Sequence, residues 1–264
     1  SAAASAGAEN ARDTKEMRLS RRCYAVTGLA YAPPWCVNAG IVAGDSETLV
    51  IDTGGNALAA QTVHGYATAI RPENRLRALN CEKHFDHIGG NSFFREQGID
   101  IWGHRGIART SADFAAELAE FNDAIPNPRR RAAGESAAFF HATQLANPNC
   151  PIDRDTRWDL GNCLIEILLT PGHTTTNVSV WVPGEGVLYA ADCLIAEYIP
   201  NLDAGTPADW QIWLASIDRL EALKPATLMM GHGPVARGAE VQHVMERVRR
   251  FLRDAISRGH SPTD

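Results

Sequence analysis

The sequence predicts an α+β fold made of two similar halves, and three observations carry that expectation. Short β-branched or aromatic runs bounded by Gly, Pro or Asp recur in both halves. Each set of runs is followed by a stretch with a period near 3.6. Four segments rich in His, Asp and Glu stand at the ends of predicted strands: 82–87, 170–174, 191–193 and 231–233. With 264 residues, 45% of them hydrophobic, the chain can bury one large core, and residues 20–264 read as one domain. Ser1 to Glu16 is Ala-rich and polar, so residues 1–19 are expected to be a disordered leader.

In the first half, Arg22 to Thr27, Cys36 to Val42 and Thr48 to Ile51 read as an antiparallel meander. Ala57 to Ile70 has helical character and stops before Pro72. Leu76 to Leu79 then forms a buried strand leading into Glu82-Lys83-His84-Phe85-Asp86-His87, which places that motif in a loop at the strand's C-terminal end. Gly89-Gly90 permits a tight turn, Asn91 to Gln97 a short helix, and Ile99 to Trp102 another strand. Phe114, Leu118 and Phe121 mark an amphipathic helix with Ser111 as its N-cap and Asn127-Pro128 as its end. The stretch 122–155 has little periodicity and reads as a long loop, either a substrate lid or a surface connection. Its Arg129-Arg130-Arg131 run reads as a solvated face.

The second half repeats the pattern. Leu164 to Leu169, Val178 to Val182 and Val187 to Ala190 read as strands, and His173 and Asp192 fall just beyond the outer two. Trp210, Trp213, Leu214, Ile217, Leu220 and Leu223 define a core-facing helix after Pro207. Leu228-Met229-Met230 is a buried strand ending at Gly231-His232-Gly233, and Arg237 to Ser257 closes the chain as a helix.

Composition narrows the function classes. A net charge of −6 and a pI near 5.8 argue against a nucleic-acid partner, which requires a basic surface. No apolar stretch is long enough to span a membrane, and no hydrophobic signal core stands near the start, so a soluble protein acting on a small molecule is expected. The six cysteines, at 23, 36, 81, 150, 163 and 193, form no Cys-x-x-Cys pair and read as buried small residues. They place a reducing cytoplasm ahead of the periplasm. Cys81 and Cys193 flank candidate ligands but should turn into the core by strand alternation. His64, His104, His141, His243 and His260 lie outside any ligand-like context.

The order and spacing of Glu82-x-His84-x-Asp86-His87, His173, Asp192 and His232 resemble the metallo-β-lactamase superfamily, whose first motif usually reads His-x-His-x-Asp-His. The resemblance covers about residues 20–258 and implies a four-layer αββα sandwich. By position it implies that Glu82, His84 and His173 hold one ion and Asp86, His87 and His232 a second, with Asp192 bridging. Asp86 and Asp192 then stand at the reacting centre, and Asp52, in Leu49-Val50-Ile51-Asp52-Thr53-Gly54, supports the metal loop from beneath. Two zinc ions are expected, with a shared hydroxide attacking a lactone, ester, thioester or β-lactam amide.

Glu82 departs from the usual motif. It adds negative charge to a site already holding Asp86 and Asp192, and the harder ligand set also suits Fe or Mn. An iron enzyme resembling the family's persulfide dioxygenases, or a member that binds a ligand without turnover, are the alternatives. The region from Asp209-Trp210 to Gly233-Pro234 is similar to metallohydrolases associated with sulfur oxidation and quinoproteins, a subgroup that points to the periplasm. Trp35, Tyr198, Asn201 and Asp203 lie in loops that could reach the metals.

Overall fold

A computed structural model describes residues 15–29, 36–124, 143–203 and 205–263. Two mixed sheets face each other, and helices cover their outer faces. The first sheet runs β1 (Lys15–Arg18), β2 (Cys23–Leu29), β3 (Val37–Ala43), β4 (Glu47–Ile51), β5 (Arg75–Asn80), β6 (Ile101–His104) and β7 (Cys150–Ile152) in sequence order. Its first four strands pair antiparallel, and β4 through β7 pair parallel. The parallel steps need crossovers, which α1 (Ala57–Ile70), α2 (Phe85–Ile88), α3 (Asn91–Glu96) and α4 (Ser111–Ala124) supply.

The second sheet has the order β13 (Ala236–Arg237), β12 (Thr227–Met230), β11 (Val187–Ala191), β10 (Val178–Val182), β9 (Leu164–Leu169) and β8 (Thr156–Asp159). Only the β11–β12 step is parallel, and α5 (Pro207–Ala222) makes that crossover. The last helix, α6 (Ala239–Arg258), packs beside α5.

Three apolar cores make the layers. Between the sheets, Val42, Leu49 and Leu79 meet Ile165, Val180 and Val187. The outer face of the first sheet buries Val26, Ile41 and Ala78 under Ala60 and Val63 of α1. That of the second buries Leu188 and Leu228 under Trp213, Ile217, Val244 and Leu252 of α5 and α6. This is the αββα sandwich. The sheets are locked together where Tyr189 packs on Gly40, whose missing Cβ would meet the ring at 2.5 Å. The Tyr189 hydroxyl reaches the carbonyls of Tyr24 (3.1 Å) and Ile41 (3.2 Å).

The structure moves several expected boundaries. Strand β1 begins at Lys15, inside the segment 1–19 expected as a leader, because its backbone pairs with β2 from Lys15↔Thr27 to Arg18↔Tyr24. Residues 1–14 lie outside the described residues, as do Trp35, Arg129-Arg130-Arg131 and the helix end at Asn127-Pro128. The expected loop 122–155 contains β7 at its end. The cap of α4 is Thr110 rather than Ser111: the Asp113 N–H donates to Thr110 Oγ1 (3.2 Å), and Asp113 Oδ2 accepts from the Thr110 N–H (3.2 Å). Among the described residues, no helix is long and apolar enough to cross a membrane.

Candidate metal centre

All four motifs converge at one edge of the sandwich, where loops leave the C-terminal ends of β5, β9, β11 and β12. The β5 loop brings Glu82 and His84 and then α2, which carries Asp86 and His87. His173 follows β9, Asp192 follows β11, and His232 follows β12. The chain turns sharply after β4, which supports the site, and at the end of β11, which delivers Asp192. Asp52, just after β4, has φ 63°, and Ala191, just before Asp192, has φ 47°. Neither is glycine, so the surrounding structure holds both in a sparsely populated conformation.

The candidate ligands form two triads. Glu82, His84 and His173 make one and Asp86, His87 and His232 the other, with one ligand atom from each residue lying within 4.8 Å of the others in its triad. Glu82, His87 and Asp192 satisfy the same criterion and tie the two together. Asp192 Oδ2 lies 3.4 Å from His232 Nε2, 3.6 Å from His87 Nε2 and 3.8 Å from His173 Nε2. These contacts fall in the range that metal ligands take, since N and O ligands sit about 2.0–2.2 Å from zinc and so up to roughly 4.4 Å from each other.

Hydrogen bonds behind the rings fix which nitrogen faces inward. His87 Nδ1 is 2.9 Å from Asp52 Oδ2, His173 Nδ1 is 3.2 Å from the Asn201 carbonyl, and His232 Nδ1 is 2.7 Å from the Cys36 carbonyl. A proton on each Nδ1 satisfies those acceptors and leaves Nε2 with its lone pair toward the cluster. His84 is reversed: its Nδ1 points inward, 2.7 Å from Glu82 Oε1 and 3.1 Å from His173 Nε2.

Glu82 turns inward and is fully buried. Among the described residues, Oε2 of Glu82, Nε2 of His87 and Oδ1 of Asp192 are buried without a hydrogen-bond partner, and Oε1 of Glu82 has the ion-pair contact with His84. Orphaned groups of this kind are costly in a dry interior, and bound cations would supply the partners that the protein does not. The electrostatics agree. Burial pushes the Glu82 carboxyl up, but His84, His173 and His87 together draw it below its ordinary value. Burial pulls the His84 imidazole down, yet Glu82 outweighs it and raises it to about 9. Carboxylates that drive neighbouring imidazoles toward the protonated form would be neutralised equally well by a divalent ion. The donor set therefore fits metal.

Several supports were not visible in the sequence. Thr53 Oγ1 donates to Asn91 Oδ1 (2.8 Å), and Asn80 Nδ2 donates to the His87 carbonyl (3.0 Å), which anchors α2 from below. Asn38 Nδ2 reaches the carbonyls of Met230 (3.0 Å) and Gly233 (2.8 Å), bracketing His232. Trp213 donates its indole N–H to the Cys193 carbonyl (2.8 Å) and packs on Gly172, so it joins the His173 and Asp192 loops. Gly231 has no alternative, because a Cβ there would collide with Asp192 Oδ1. Cys81 and Cys193 are buried in the apolar cores, as strand alternation implied. Burial pushes the Cys193 thiol up to about 12.

The centre opens into a cavity of about 490 Å3. Tyr198, Asn201 and Asp203 line it, together with Trp213 and three residues of α4, Glu117, Glu120 and Phe121. Glu117 and Glu120 escaped the sequence reading, and Phe121 was read only as part of the helix's apolar face, although the i, i+3, i+4 spacing of the three marks one helix face.

Comparison with known proteins agrees with this geometry. Residues 32–232 match the family model described as the Metallo-beta-lactamase superfamily. Metallo-beta-lactamase type 2 from Bacteroides fragilis is 20% identical over 91% of this chain and 87% of its own length. Hydroxyacylglutathione hydrolase from Ruegeria pomeroyi is 35% identical over 34% of this chain, and the match spans about a third (35%) of that relative. Among solved structures, a metallo-beta-lactamase from Pontibacter korlensis superposes with a TM-score of 0.67 at 18% identity, covering 91% of this chain and 99% of that one. The chain belongs to the metallo-beta-lactamase superfamily.

Proposed function

We propose that this metallo-hydrolase carries two zinc ions and cleaves a small carbonyl substrate: a lactone, ester, thioester or β-lactam amide. The observation that carries the proposal is the cluster of three carboxylates and four imidazoles at the floor of the cavity, with its unpartnered atoms turned inward. Glu82, His84 and His173 would hold one ion, Asp86, His87 and His232 the other, and Asp192 would stand between them. Two such ions would polarise the carbonyl under attack and make water a competent nucleophile near neutral pH.

The chain's own residues account for the rest. Asp52 and the carbonyls of Cys36 and Asn201 hold three imidazoles in the orientation that presents Nε2. Asp86 and Asp192 are the two ligand carboxylates that line the cavity and so face the reacting carbon. Trp213, Phe121 and Tyr198 give the cavity its aromatic wall, which shields the centre from water and accepts the apolar part of a substrate. The names of the relatives, a metallo-beta-lactamase and a hydroxyacylglutathione hydrolase, support hydrolysis at an acyl carbon.

A second reading has a specific observation behind it. Each triad is two imidazoles and one carboxylate, the donor set that also suits non-haem iron, and Glu82 makes the first triad harder than usual. Elemental mass spectrometry of protein purified without added metal separates the two. About two zinc ions per chain support the hydrolase. A single iron supports oxidative chemistry, and protein free of tightly bound metal refutes both. Glu82→His restores the usual motif and is expected to tighten the first site, whereas unchanged affinity would show that Glu82 does not ligate.

A further inference from the structure

We propose that Glu117 and His84 form a donor–acceptor pair on the cavity wall that binds a hydroxyl group close to the scissile carbonyl, which makes a hydroxylated lactone or ester the preferred substrate. The inference rests on the hydrolase reading above and specifies the substrate class.

His84 differs from the other three imidazoles. Those three turn Nε2 to the cluster and spend Nδ1 on Asp52 or on a backbone carbonyl. His84 turns Nδ1 inward, 2.7 Å from Glu82 Oε1, so its Nε2 lies on the far side of the ring. The side chain is 24% exposed and lines the cavity, and Nε2 has no hydrogen-bond partner among the described residues. With Nδ1 committed to a metal ion, the neutral ring carries its proton on Nε2, which is then a free donor.

Glu117 supplies the acceptor. It stands on α4, lines the same cavity, and its side chain is 14% exposed. Arg109 Nη1 donates both to Glu117 Oε2 (2.6 Å) and to the carbonyl of Lys83 (2.9 Å), the residue before His84. One nitrogen therefore fixes the carboxylate beside the peptide that carries the imidazole. Arg109 is itself held, by Asp113 at Nε (2.9 Å) and by Asn147 at its backbone N–H (2.9 Å). Burial raises the Glu117 carboxyl, and the largest opposing effect is the attraction of His84, ahead of the Arg109 hydrogen bond, which sets the imidazole and the carboxylate close together. Among the described residues no hydrogen bond or ion pair joins the two directly, and Glu117 Oε1 has no partner, so donor and acceptor are both open to a third group.

A hydroxyl accepts from an imidazole N–H and donates to a carboxylate oxygen at once. An ether oxygen only accepts, a carboxylate would meet Glu117 as a like charge, and a methylene would leave both groups unpaired. Because the other nitrogen of the same ring faces the metal centre, the bound hydroxyl sits on a carbon close to the carbonyl.

The test uses the metal-loaded enzyme and three matched lactones: α-hydroxy-γ-butyrolactone, its α-methoxy ether and unsubstituted γ-butyrolactone. Each kcat/KM is divided by the rate of alkaline hydrolysis of the same lactone, which removes differences in intrinsic reactivity. The hydroxy compound should exceed the other two by about tenfold, the worth of one hydrogen bond to a charged group. Glu117→Ala should bring the hydroxy-to-methoxy ratio toward unity. Glu117→Gln keeps the shape and adds an amide donor that an ether can accept, so it should lower that ratio by favouring the methoxy compound. A purely structural role would change all three rates alike.

Binding is read apart from turnover by saturation-transfer NMR with 2-hydroxycyclopentanone against cyclopentanone. Lactone turnover without a hydroxyl preference, or with a preference that survives both variants, overturns the inference and leaves the hydrolase standing. Preferential binding of the hydroxyketone that Glu117→Ala abolishes, without turnover of any lactone, supports the hydroxyl site while the hydrolase reading fails. Neither turnover nor preferential binding refutes both.

Discussion

Asp52 grips the metal loop at two points: its Oδ2 lies 2.9 Å from His87 Nδ1, and its Oδ1 accepts the Cys81 backbone N–H at 2.7 Å. Both His87 and Asp52 are almost wholly buried. The contact fixes the tautomer of His87 and, through Cys81, the start of the loop that carries Glu82. Asp52→Asn keeps the shape but removes the charge, and should weaken metal binding about 10- to 100-fold, measured by competition with a chromophoric chelator. Wild-type affinity in the variant would show that the imidazole is oriented by packing alone.

Arg109 ties α4 to the same loop. Its Nη1 donates to the Lys83 carbonyl (2.9 Å) and to Glu117 (2.6 Å), its Nε to Asp113 (2.9 Å), and Asn147 brackets its backbone on both sides. Arg109→Ala should lower unfolding free energy by about 1–3 kcal/mol in urea titrations. Arg109→Lys should recover little, because an ammonium lacks the planar fork that reaches three acceptors. Full recovery in the Lys variant would mean that charge, not geometry, is what this position supplies.

Thiol chemistry reports on whether the site's walls open. Burial pushes Cys23 and Cys193 up to about 12 and Cys81 well above its ordinary value, and only Cys150 is not buried. Since the thiolate is the reactive species, Cys150 should be modified first by a disulfide reagent at mildly alkaline pH, with the other five following on denaturation. Rapid native labelling of Cys193, identified by peptide mass mapping, would reveal that the Asp192 loop opens.

A pH effect is expected far from the metals. The hydrogen bond from Arg22 Nη1 (2.8 Å), helped by Asn162, lowers Asp45 from 3.8 to about 2. A carboxyl held below its unfolded value stabilises the fold above that value and loses the contribution as pH falls toward the folded one. The stability difference between wild type and Asp45→Asn should therefore be constant from about pH 5 to 7 and shrink between about pH 4 and 2. A gap that persists at the acid end would assign the effect to neutral hydrogen bonding.

Much of this was legible in the chain. The helix Ala57–Ile70 and the strands Leu164–Leu169 and Val178–Val182 agree with the expected spans because their patterns are long or strongly apolar. The αββα layering and family membership followed from motifs that fall at strand ends. Strands β1, β7, β8 and β13 did not show, since they run two to four residues and become strands only by pairing with a neighbour.

The sequence by itself determined which residue types meet at the centre, because ligand order along the chain follows the order of the strands that deliver them. The tertiary structure decided orientation and second contacts. That Glu82 faces inward, that His84 presents Nδ1 while three other rings present Nε2, and that Asn38 supports a loop 192 residues away are outcomes of non-local packing. Local pattern encodes which way a side chain faces within its own element. Only folding brings distant elements close enough for those directions to converge.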